Sequence, residues 1–310
     1  MKRLLLFIAL VVSIPFLVIN FFYSYKITTK LSGFNSNNVE SKRINIRILR
    51  SNNTVENIDL EDYLVGVVSS EVPIYFEEEA LKAQAVAART YALKQIENNI
   101  DKEYDVTDDT SSQVYSTNEE LKERWGNKYE ENYNKIKKII DLTKGEYITY
   151  NNDCIYAFFF STSNGKTEDN KNVFGEDLPY LKSVDSSFDK EETDSFEVTK
   201  EYSKEDFYNL LEIPYNDSLI ITDEERSDSN RVLSITINGI SFKGRDFQKK
   251  LGLRSNDFNI EETSNIVIKT RGFGHGVGMS QFGANALAKR NKKYQEIIKY
   301  YYQGTEIKKL

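Results

Sequence analysis

The sequence contains few of the residues from which many enzyme sites are built. Its 310 residues include one cysteine, one histidine and one tryptophan. A single cysteine excludes an internal disulfide and suggests a secretory space in which disulfides are sparse. With His275 as the sole histidine, a Ser-His-Asp site can form only around that residue, and no G-x-S-x-G segment is present. One histidine and one cysteine also make a poor zinc site.

An excess of positive charge is also missing. Lysine and arginine together number 41 against 48 aspartates and glutamates, which gives a formal net charge of −7. Proteins that bind nucleic acid usually carry a basic patch or stripe. The charge balance therefore predicts that nucleic acid is not a partner.

One long apolar run is present, from Leu4 to Tyr23, and Lys2 and Arg3 precede it. Twenty residues match the ~30 Å hydrocarbon core of a bilayer. A secretory signal usually has a shorter apolar run followed by a cleavage site with small residues, and no such site appears here. We therefore predict a retained, single-pass anchor in the cell membrane, with a cleaved signal as the alternative. The basic start places the N-terminus in the cytoplasm and the rest of the chain outside.

Composition divides the chain into an anchor, a polar linker rich in Ser and Asn, and a large folded part. A charged stretch inside the folded part suggests an insertion or a second lobe. The predicted boundaries are residues 1–3 for the cytoplasmic start, 4–23 for the transmembrane anchor, 24–42 for the linker, 43–310 for the ectodomain and about 187–260 for the second lobe.

The residue patterns of the folded part predict both strands and helices. Ile44 to Leu49 alternates as a half-buried strand does. Tyr63 to Val68 has apolar residues at helical spacing, and Pro73 disfavours helix at the preceding residue, so this helix should end near Glu71. Hairpins outnumber βαβ units, which predicts an α+β fold with mixed or antiparallel sheets and packed helices. Further predicted elements are a hairpin of 146–150 and 154–160, strands at 232–237 and 265–269, and helices at 129–142, 245–251, 278–290 and 294–302.

Glu71 is the main candidate for chemistry. It ends one amphipathic helix and precedes a second helix, Ala80 to Tyr91, that is rich in small residues. Small residues let another backbone come close, and a carboxylate beside such tight packing can have a raised pKa. By position alone, Glu71 also fits an ordinary solvated carboxylate at the end of a helix.

The run R-G-F-G-H-G-V-G-M-S-Q-F-G has glycines at alternating positions, from 272 to 278. It follows an apolar strand and precedes a helix, which is the setting of a phosphate-binding loop. Its spacing nevertheless matches neither G-x-G-x-x-G nor a P-loop, and a nucleotide is not expected outside the cell. The glycines more simply allow a polymer or another helix to approach the backbone. His275 within this run fits a structural role or a role in a site equally well.

Three long blocks, in this order, resemble the stage II sporulation protein D (SpoIID) family. The resemblance covers the chain from about residue 43 to the C-terminus. The blocks are Y-L-V-G-V-V-S-S-E-V-P followed by E-A-L-K-A-Q-A-V-A-A-R-T-Y-A-L, then F-F-S-T-S-N-G-K-T-E-D with P-Y-L-K-S-V-D-S, and finally G-F-G-H-G-V-G-M-S-Q-F-G-A-N-A-L-A.

The resemblance implies a peptidoglycan lytic transglycosylase that acts at the sporulation septum, in the mother-cell engulfing membrane, during engulfment of the forespore. It implies a substrate of peptide-free (denuded) glycan strands, prepared by a SpoIIP-type amidase, and a complex with a SpoIIM-type membrane protein. The catalytic acid of the family is the glutamate of V-x-x-E-x-P, which here is Glu71. One carboxyl is sufficient for this reaction, because the attacking 6-hydroxyl belongs to the substrate and the same group can act as acid and then as base.

Some relatives in clostridia carry zinc held by His and Cys in the loop after the long helix. The matching loop here, Asp108 to Ser116, has neither residue, and Phe160 stands where a histidine is expected before S-T-S. We therefore expect no metal and no other cofactor. A non-catalytic glycan-binding activator of a partner amidase is the rival function. The predicted lining of a glycan groove is Gln84, Arg89, Tyr91, Ser161, Thr162, Ser163, Asn164, His275, Gly276 and Gln281.

Overall fold

The computed structural model describes residues 43–310. The predicted anchor and linker, 4–23 and 24–42, lie outside the described residues. Within 43–310, no helix is both long enough and apolar enough to cross a membrane. The described chain has an α+β fold of small, mostly antiparallel sheets with packed helices, which confirms this part of the predicted fold class.

The longest helix within residues 43–310 has 21 residues and lies in the middle of the fold. The helices are α1 (Leu60–Glu71), α2 (Glu78–Asn98), α3 (Asn118–Trp125), α4 (Tyr129–Leu142), α5 (Asn170–Phe174), α6 (Lys204–Leu211), α7 (Gly244–Lys250), α8 (Gln281–Lys289) and α9 (Tyr294–Tyr301).

The strands form five small sheets within residues 43–310. The strands are β1 (Asn45–Leu49), β2 (Val55–Asp59), β3 (Val106–Thr107), β4 (Glu146–Tyr150), β5 (Asp153–Cys154), β6 (Phe159–Phe160), β7 (Glu197–Tyr202), β8 (Ile221–Arg226), β9 (Val232–Ile237), β10 (Ile240–Lys243), β11 (Phe258–Glu262), β12 (Ile266–Arg271), β13 (Met279–Ser280) and β14 (Glu306–Lys309). Their spatial orders are β2-β1-β3, β14-β4-β5, β13-β6, β10-β9-β8 and β11-β12-β7, and the pairs β1-β3 and β6-β13 are parallel.

A first hydrophobic core surrounds α2, which packs against α1, α4, α8, α9 and β4. The alanines of α2 allow these close contacts, and Ala83 and Ala87 are fully buried. In α1, Gly66 has the same effect on one loop: a Cβ there would lie 2.4 Å from the carbonyl oxygen of Ser116. The loop that contains Ser116 can therefore lie directly on α1, one turn before Glu71.

A second hydrophobic core is built from residues 207–268. It consists of α6, α7 and the strands around them, with Phe207, Phe247 and Phe258 at its centre. Phe247 lies between the other two rings, with centroid distances of 6.2 and 4.8 Å. Apolar residues of the highly charged stretch are therefore buried in a core of their own. The predicted domain boundaries themselves stay a prediction.

The predicted hairpin after α4 is only partly right. Its turn is confirmed, since Asn151 and Asn152 have φ of 50° and 72°, as a tight two-residue turn requires. The prediction of one strand from 154 to 160 is wrong, because the chain leaves the β4 ladder after β5. The carbonyl of Phe158 accepts hydrogen bonds from the Met279 amide at 3.1 Å and the Tyr302 hydroxyl at 2.8 Å. This shift carries β6 over to β13, which lies within the last sequence block, so the helix predicted at 278–290 starts only at residue 281.

Candidate functional site

Glu71 is the last residue of α1, as the sequence predicts. The next residue, Val72, is extended with φ −129° and ψ 148°, because Pro73 disfavours helix there. The Glu71 side chain reaches two other parts of the chain. Its Oε1 accepts the backbone N–H of Val114 at 2.8 Å, and its Oε2 accepts Nε2 of Gln281 at 3.3 Å. We call these three residues the acid seam.

Burial raises the pKa of the Glu71 carboxyl, and the hydrogen bonds from Val114 and Gln281 act in the opposite direction. Burial dominates because it removes water from the charged form. Two phenols lie near the carboxyl: the negative charge of Glu71 contributes to raising the pKa of Tyr63 and of Tyr91. The side chain nevertheless remains partly exposed. The acid seam thus holds a carboxyl that stays protonated to higher pH than a solvated one.

The loop that supplies Val114 is held against α1 and α2. The hydroxyl of Tyr63 donates to Oε1 of Gln113 at 3.2 Å, and Nε2 of Gln113 donates to the carbonyl of Ala88 at 3.4 Å. The Ser70 hydroxyl donates to that of Ser116 at 2.9 Å. The Val114 amide therefore points at Glu71 because side chains on both sides fix its loop.

Gln281 is positioned by a buried cluster that we call the serine junction: Ser163, Ser186, Asp189 and Ser280. Asp189 is fully buried and accepts the Ser163 amide at 2.7 Å, the Ser186 hydroxyl at 2.7 Å and the Ser280 hydroxyl. Ser280 is also the N-cap of α8, so the first residue of that helix, Gln281, follows directly. Burial raises the pKa of Asp189 to about 6, although its hydrogen bonds act to lower it. The serine junction ties the second sequence block to the third.

His275 lies among Phe158, Phe160 and Phe174, with ring centroids 6.2, 5.7 and 5.4 Å away. Its Nδ1 accepts the Val277 amide at 3.1 Å, so the neutral ring carries its proton on Nε2. Burial lowers the pKa of His275 to about 3, and the charges of two nearby arginines act in the same direction. His275 is therefore a neutral hydrogen-bond donor at pH 7, and it is not a base that becomes charged in that range.

Gly276 next to it must be glycine. Its φ is +88°, and a Cβ would lie 2.6 Å from Nε of Arg231. Arg231 is fully buried, and its NH1 donates to Asn256 Oδ1 and to the carbonyl of Gly274, both at 3.1 Å. The turn at His275 and Gly276 thus lies on a buried guanidinium, and no bound phosphate is needed to explain its glycines.

Tyr91 connects the acid seam with the turn that contains His275 and Gly276. It lies in α2 near the Glu71 charge, and its ring centroid is 6.3 Å from that of Phe158, which in turn neighbours His275. Among the residues predicted to line a groove, Tyr91, His275 and Gln281 are therefore brought to one region with Glu71.

Two predicted groove residues in α2 have other surroundings. Arg89 is fully buried and binds both carboxylate oxygens of Glu61, at 2.6 and 2.9 Å, and the carbonyl of Glu146 at 3.1 Å. Gln84 is 1% exposed, and its amide atoms have no hydrogen-bond partner within residues 43–310. Neither side chain presents a polar group to solvent, and neither has a hydrogen bond with Glu71.

The predicted S-T-S-N segment serves chiefly to connect parts of the fold. The carbonyl of Ser161 accepts the Phe282 amide at 3.0 Å, and the Thr162 amide donates to the Phe273 carbonyl at 3.0 Å. Ser163 belongs to the serine junction. Nδ2 of Asn164 donates to the Ser229 carbonyl at 2.6 Å and to Asp257 at 2.8 Å. These contacts hold the turn at His275 and the start of α8 in place relative to the acid seam.

Sequence reasoning missed Val114, Asp189 and Ser280. Val114 contributes only its backbone N–H, which any residue other than proline provides. Asp189 lies in the charged stretch whose composition suggests an insertion or a second lobe. For zinc, the described residues do not fit: no group of three or more His, Cys, Asp or Glu side chains in 43–310 is arranged to hold a metal. The expectation of no cofactor stays a prediction.

These observations define the class of protein: an α+β protein whose candidate site combines one partly buried acid with aromatic rings. The family model described as Stage II sporulation protein matches residues 50–150. Stage II sporulation protein D of Bacillus subtilis (strain 168) is 43% identical over 290 residues, which cover 91% of this chain and 84% of that protein. The same-named protein of Bacillus amyloliquefaciens is 43% identical over 263 residues, covering 83% of this chain and 76% of its own. The chain belongs to the stage II sporulation protein D family.

A more distant similarity links the chain to another class of protein. The amidase enhancer of Bacillus subtilis (strain 168) is 29% identical over 299 residues, covering 79% of this chain and 40% of that protein. Membership of the stage II sporulation protein D family supports a sporulation role in cell-wall degradation.

Proposed function

We propose that this chain is a lytic transglycosylase, which cleaves the bond between N-acetylmuramic acid and N-acetylglucosamine in peptide-free peptidoglycan strands. Glu71 acts first as the acid and then as the base. The observation that carries this proposal is the acid seam: a carboxyl with a raised pKa is fixed by Val114 and Gln281 beside the rings of Tyr63 and Tyr91. Cleavage of a glycosidic bond requires an acid of this kind, because the glycosidic oxygen is a poor leaving group until it is protonated.

The hydrogen bonds of Glu71 assign a role to each of its oxygens. Oε1 accepts the short bond from the Val114 amide at 2.8 Å, whereas Oε2 accepts the longer bond from Gln281 at 3.3 Å, so we assign the proton of the acid form to Oε2. Oε2 gives this proton to the glycosidic oxygen as the bond to the anomeric carbon breaks. The 6-hydroxyl of the same muramoyl residue then attacks that carbon and returns a proton to Glu71. The product ends in a 1,6-anhydro ring, water is not consumed, and Val114 and Gln281 stabilise the carboxylate between the two steps.

The cellular setting belongs to the same proposal. The apolar run 4–23 anchors the chain in the cell membrane at the sporulation septum, with residues 43–310 on the outer side. A SpoIIP-type amidase removes stem peptides from the strands first, and a SpoIIM-type membrane protein completes the complex. The similarity to an amidase enhancer supports partners that act on peptidoglycan.

Product analysis of the Glu71→Gln variant tests the reaction. Glutamine keeps the shape of the side chain and cannot donate an acidic proton. We expect the wild-type chain to release anhydro-muramoyl products from peptide-free strands, detected by mass spectrometry, and the variant to release none above background. Glu131→Gln, at an exposed position of α4, is the matched control. Release of the same products by the Glu71 variant contradicts the assignment.

A non-catalytic activator of a partner amidase is the second candidate, and the amidase-enhancer similarity favours it. This function needs a glycan-binding surface and no acid. It predicts that Glu71→Ala retains both glycan binding and stimulation of the amidase, while the wild-type chain alone cuts no glycosidic bond. Anhydro products from the wild-type chain alone exclude it as the sole function.

A further inference from the structure

A cavity of about 480 Å³ lies outside the acid seam, where α5 meets the corner between β10 and α7. It opens between an element of the first core and one of the second. Its lining is mostly polar and consists of Val173, Lys243, Arg245, Asp246, Gln248 and Lys249, of which Lys243, Arg245 and Lys249 are cations.

The positive charge of this cavity is unusual in a chain with a net charge of −7. Within residues 43–310, no carboxylate lies within 4.0 Å of the charged nitrogens of Lys243, Arg245 or Lys249. The neighbouring Lys250, by contrast, pairs with Glu212 at 2.7 Å. Arg245 uses NH1 to donate to the carbonyl of Val173 at 3.1 Å, which leaves its other donors for a ligand. The lysines are exposed, and Asp246 is the one acid among the lining residues.

Aromatic rings connect the cavity to the candidate site. The guanidinium of Arg245 lies 5.5 Å from the ring centroid of Phe174, which is 44% exposed. Phe174 stacks on Phe158 with centroids 4.5 Å apart and an interplanar angle of 24°. Phe158 is the neighbour of Tyr91, which lies near the Glu71 carboxyl. A polymer that follows these rings from Glu71 arrives at the three cations.

The chemistry of a peptide-free muramoyl residue fits this arrangement. Its lactyl group ends in a free carboxylate, whereas a stem peptide converts that group into a neutral amide. Arginine and lysine bind carboxylates through charge-assisted hydrogen bonds, which are stronger than neutral ones. We propose that the cavity binds the lactyl carboxylate of a peptide-free muramoyl residue and so distinguishes denuded strands from strands with stem peptides. This inference rests on the glycan substrate of the proposed function.

Binding measurements without turnover test the inference separately from catalysis. Every measurement uses the full-length chain with Glu71→Gln, so that no strand is cleaved. Its Kd is measured for two ligands: peptide-free strands, and the same strands with their carboxylates converted to primary amides. We expect the amide strands to bind about 10-fold more weakly, in line with the loss of charged hydrogen bonds. Adding Lys243→Gln and Lys249→Gln should weaken binding of the carboxylate strands about 10-fold and leave binding of the amide strands unchanged.

The control is the pair Lys138→Gln and Lys299→Gln, which removes the same charge from exposed positions of α4 and α9. It should change neither Kd. Equal binding of carboxylate and amide strands overturns the inference, and so does an equal loss of both after the change at Lys243 and Lys249. Tighter binding of a glycerol-phosphate polymer than of peptide-free strands also overturns it, since the occupant is then a phosphate. None of these results depends on whether Glu71 is a catalytic acid.

Discussion

The acid seam and the serine junction each contain a carboxyl whose pKa is raised by loss of contact with water, yet the two carboxyls differ in exposure and in hydrogen bonding. Asp189 is fully buried and accepts three hydrogen bonds from the residues it connects. Glu71 is partly exposed and accepts one short bond from Val114 and one long bond from Gln281. A raised pKa alone therefore does not identify a catalytic acid. Glu71 differs from Asp189 in being partly exposed and in having one oxygen, Oε2, whose only hydrogen bond is long.

The comparison predicts opposite consequences for the two carboxyls. Removing the acid at Glu71 should affect chemistry and leave the fold intact, whereas removing Asp189 should affect the fold first. Polar groups left unpaired in a buried place lower stability, while a partly exposed carboxyl can be rehydrated and contributes less to it.

The largest expected effect is the loss of catalysis in Glu71→Gln. A positioned general acid contributes about 10²–10⁴-fold to a rate, so we expect the rate of glycosidic cleavage to fall by about 10³-fold. The free energy of unfolding should change by less than about 1 kcal/mol, since glutamine can still accept the Val114 amide. Both quantities are measured on the same preparation, by product release and by urea unfolding. If the free energy of unfolding instead falls by clearly more than about 1 kcal/mol, Glu71 is a structural residue like Asp189.

Asp189→Ala should instead lower the free energy of unfolding by about 3 kcal/mol or more. The change leaves the buried Ser163 amide without its acceptor, which costs about 1–3 kcal/mol, and it also removes an acceptor from the buried hydroxyls of Ser186 and Ser280. Urea unfolding measures this loss. Asp194→Ala, at an exposed position nearby, is the control and should change stability by less than about 0.5 kcal/mol. Unfolding curves that coincide for the two variants contradict the structural role of Asp189.

The two regions also differ in how well the sequence predicts them. The end of α1 at Glu71 follows from Pro73, and the β4–β5 turn follows from two asparagines, because both signals are local. The partners of Glu71 are 43 and 210 residues away along the chain. Contacts over such separations depend on how helices pack, and no local pattern encodes them. The family resemblance indicated which blocks matter, and the fold shows that Asn164 in the second block serves to join elements.

The pH dependence of stability should reveal Asp189. In the folded chain the pKa of Asp189 is raised to about 6, whereas an unfolded aspartate has a pKa of about 3.9. The folded state therefore binds more protons between these values, and the free energy of unfolding falls as the pH rises from about 4 to about 6. This single group contributes at most about 3 kcal/mol to the fall.

Asp189→Asn cannot ionise, so its free energy of unfolding should lack this part of the fall, although its overall stability differs from that of the wild type. Urea unfolding of both chains from pH 4 to pH 7 gives the difference directly, because all other groups are shared. Parallel profiles for the two chains would show that Asp189 does not titrate in this range.

The smallest effect concerns the second hydrogen bond of the acid seam. The Gln281 amide donates to Glu71 and thereby lowers the carboxyl pKa, in opposition to burial. Gln281→Leu removes this donor, so the pKa of Glu71 should rise. In the proposed reaction the first step requires the protonated acid, so activity should fall as the pH passes this pKa. In the variant that fall should move to higher pH, which pH–rate profiles of kcat/KM for both chains measure. A fall that moves to lower pH contradicts the role of Glu71 as the acid, because loss of a donor to the carboxylate can only favour its protonated form.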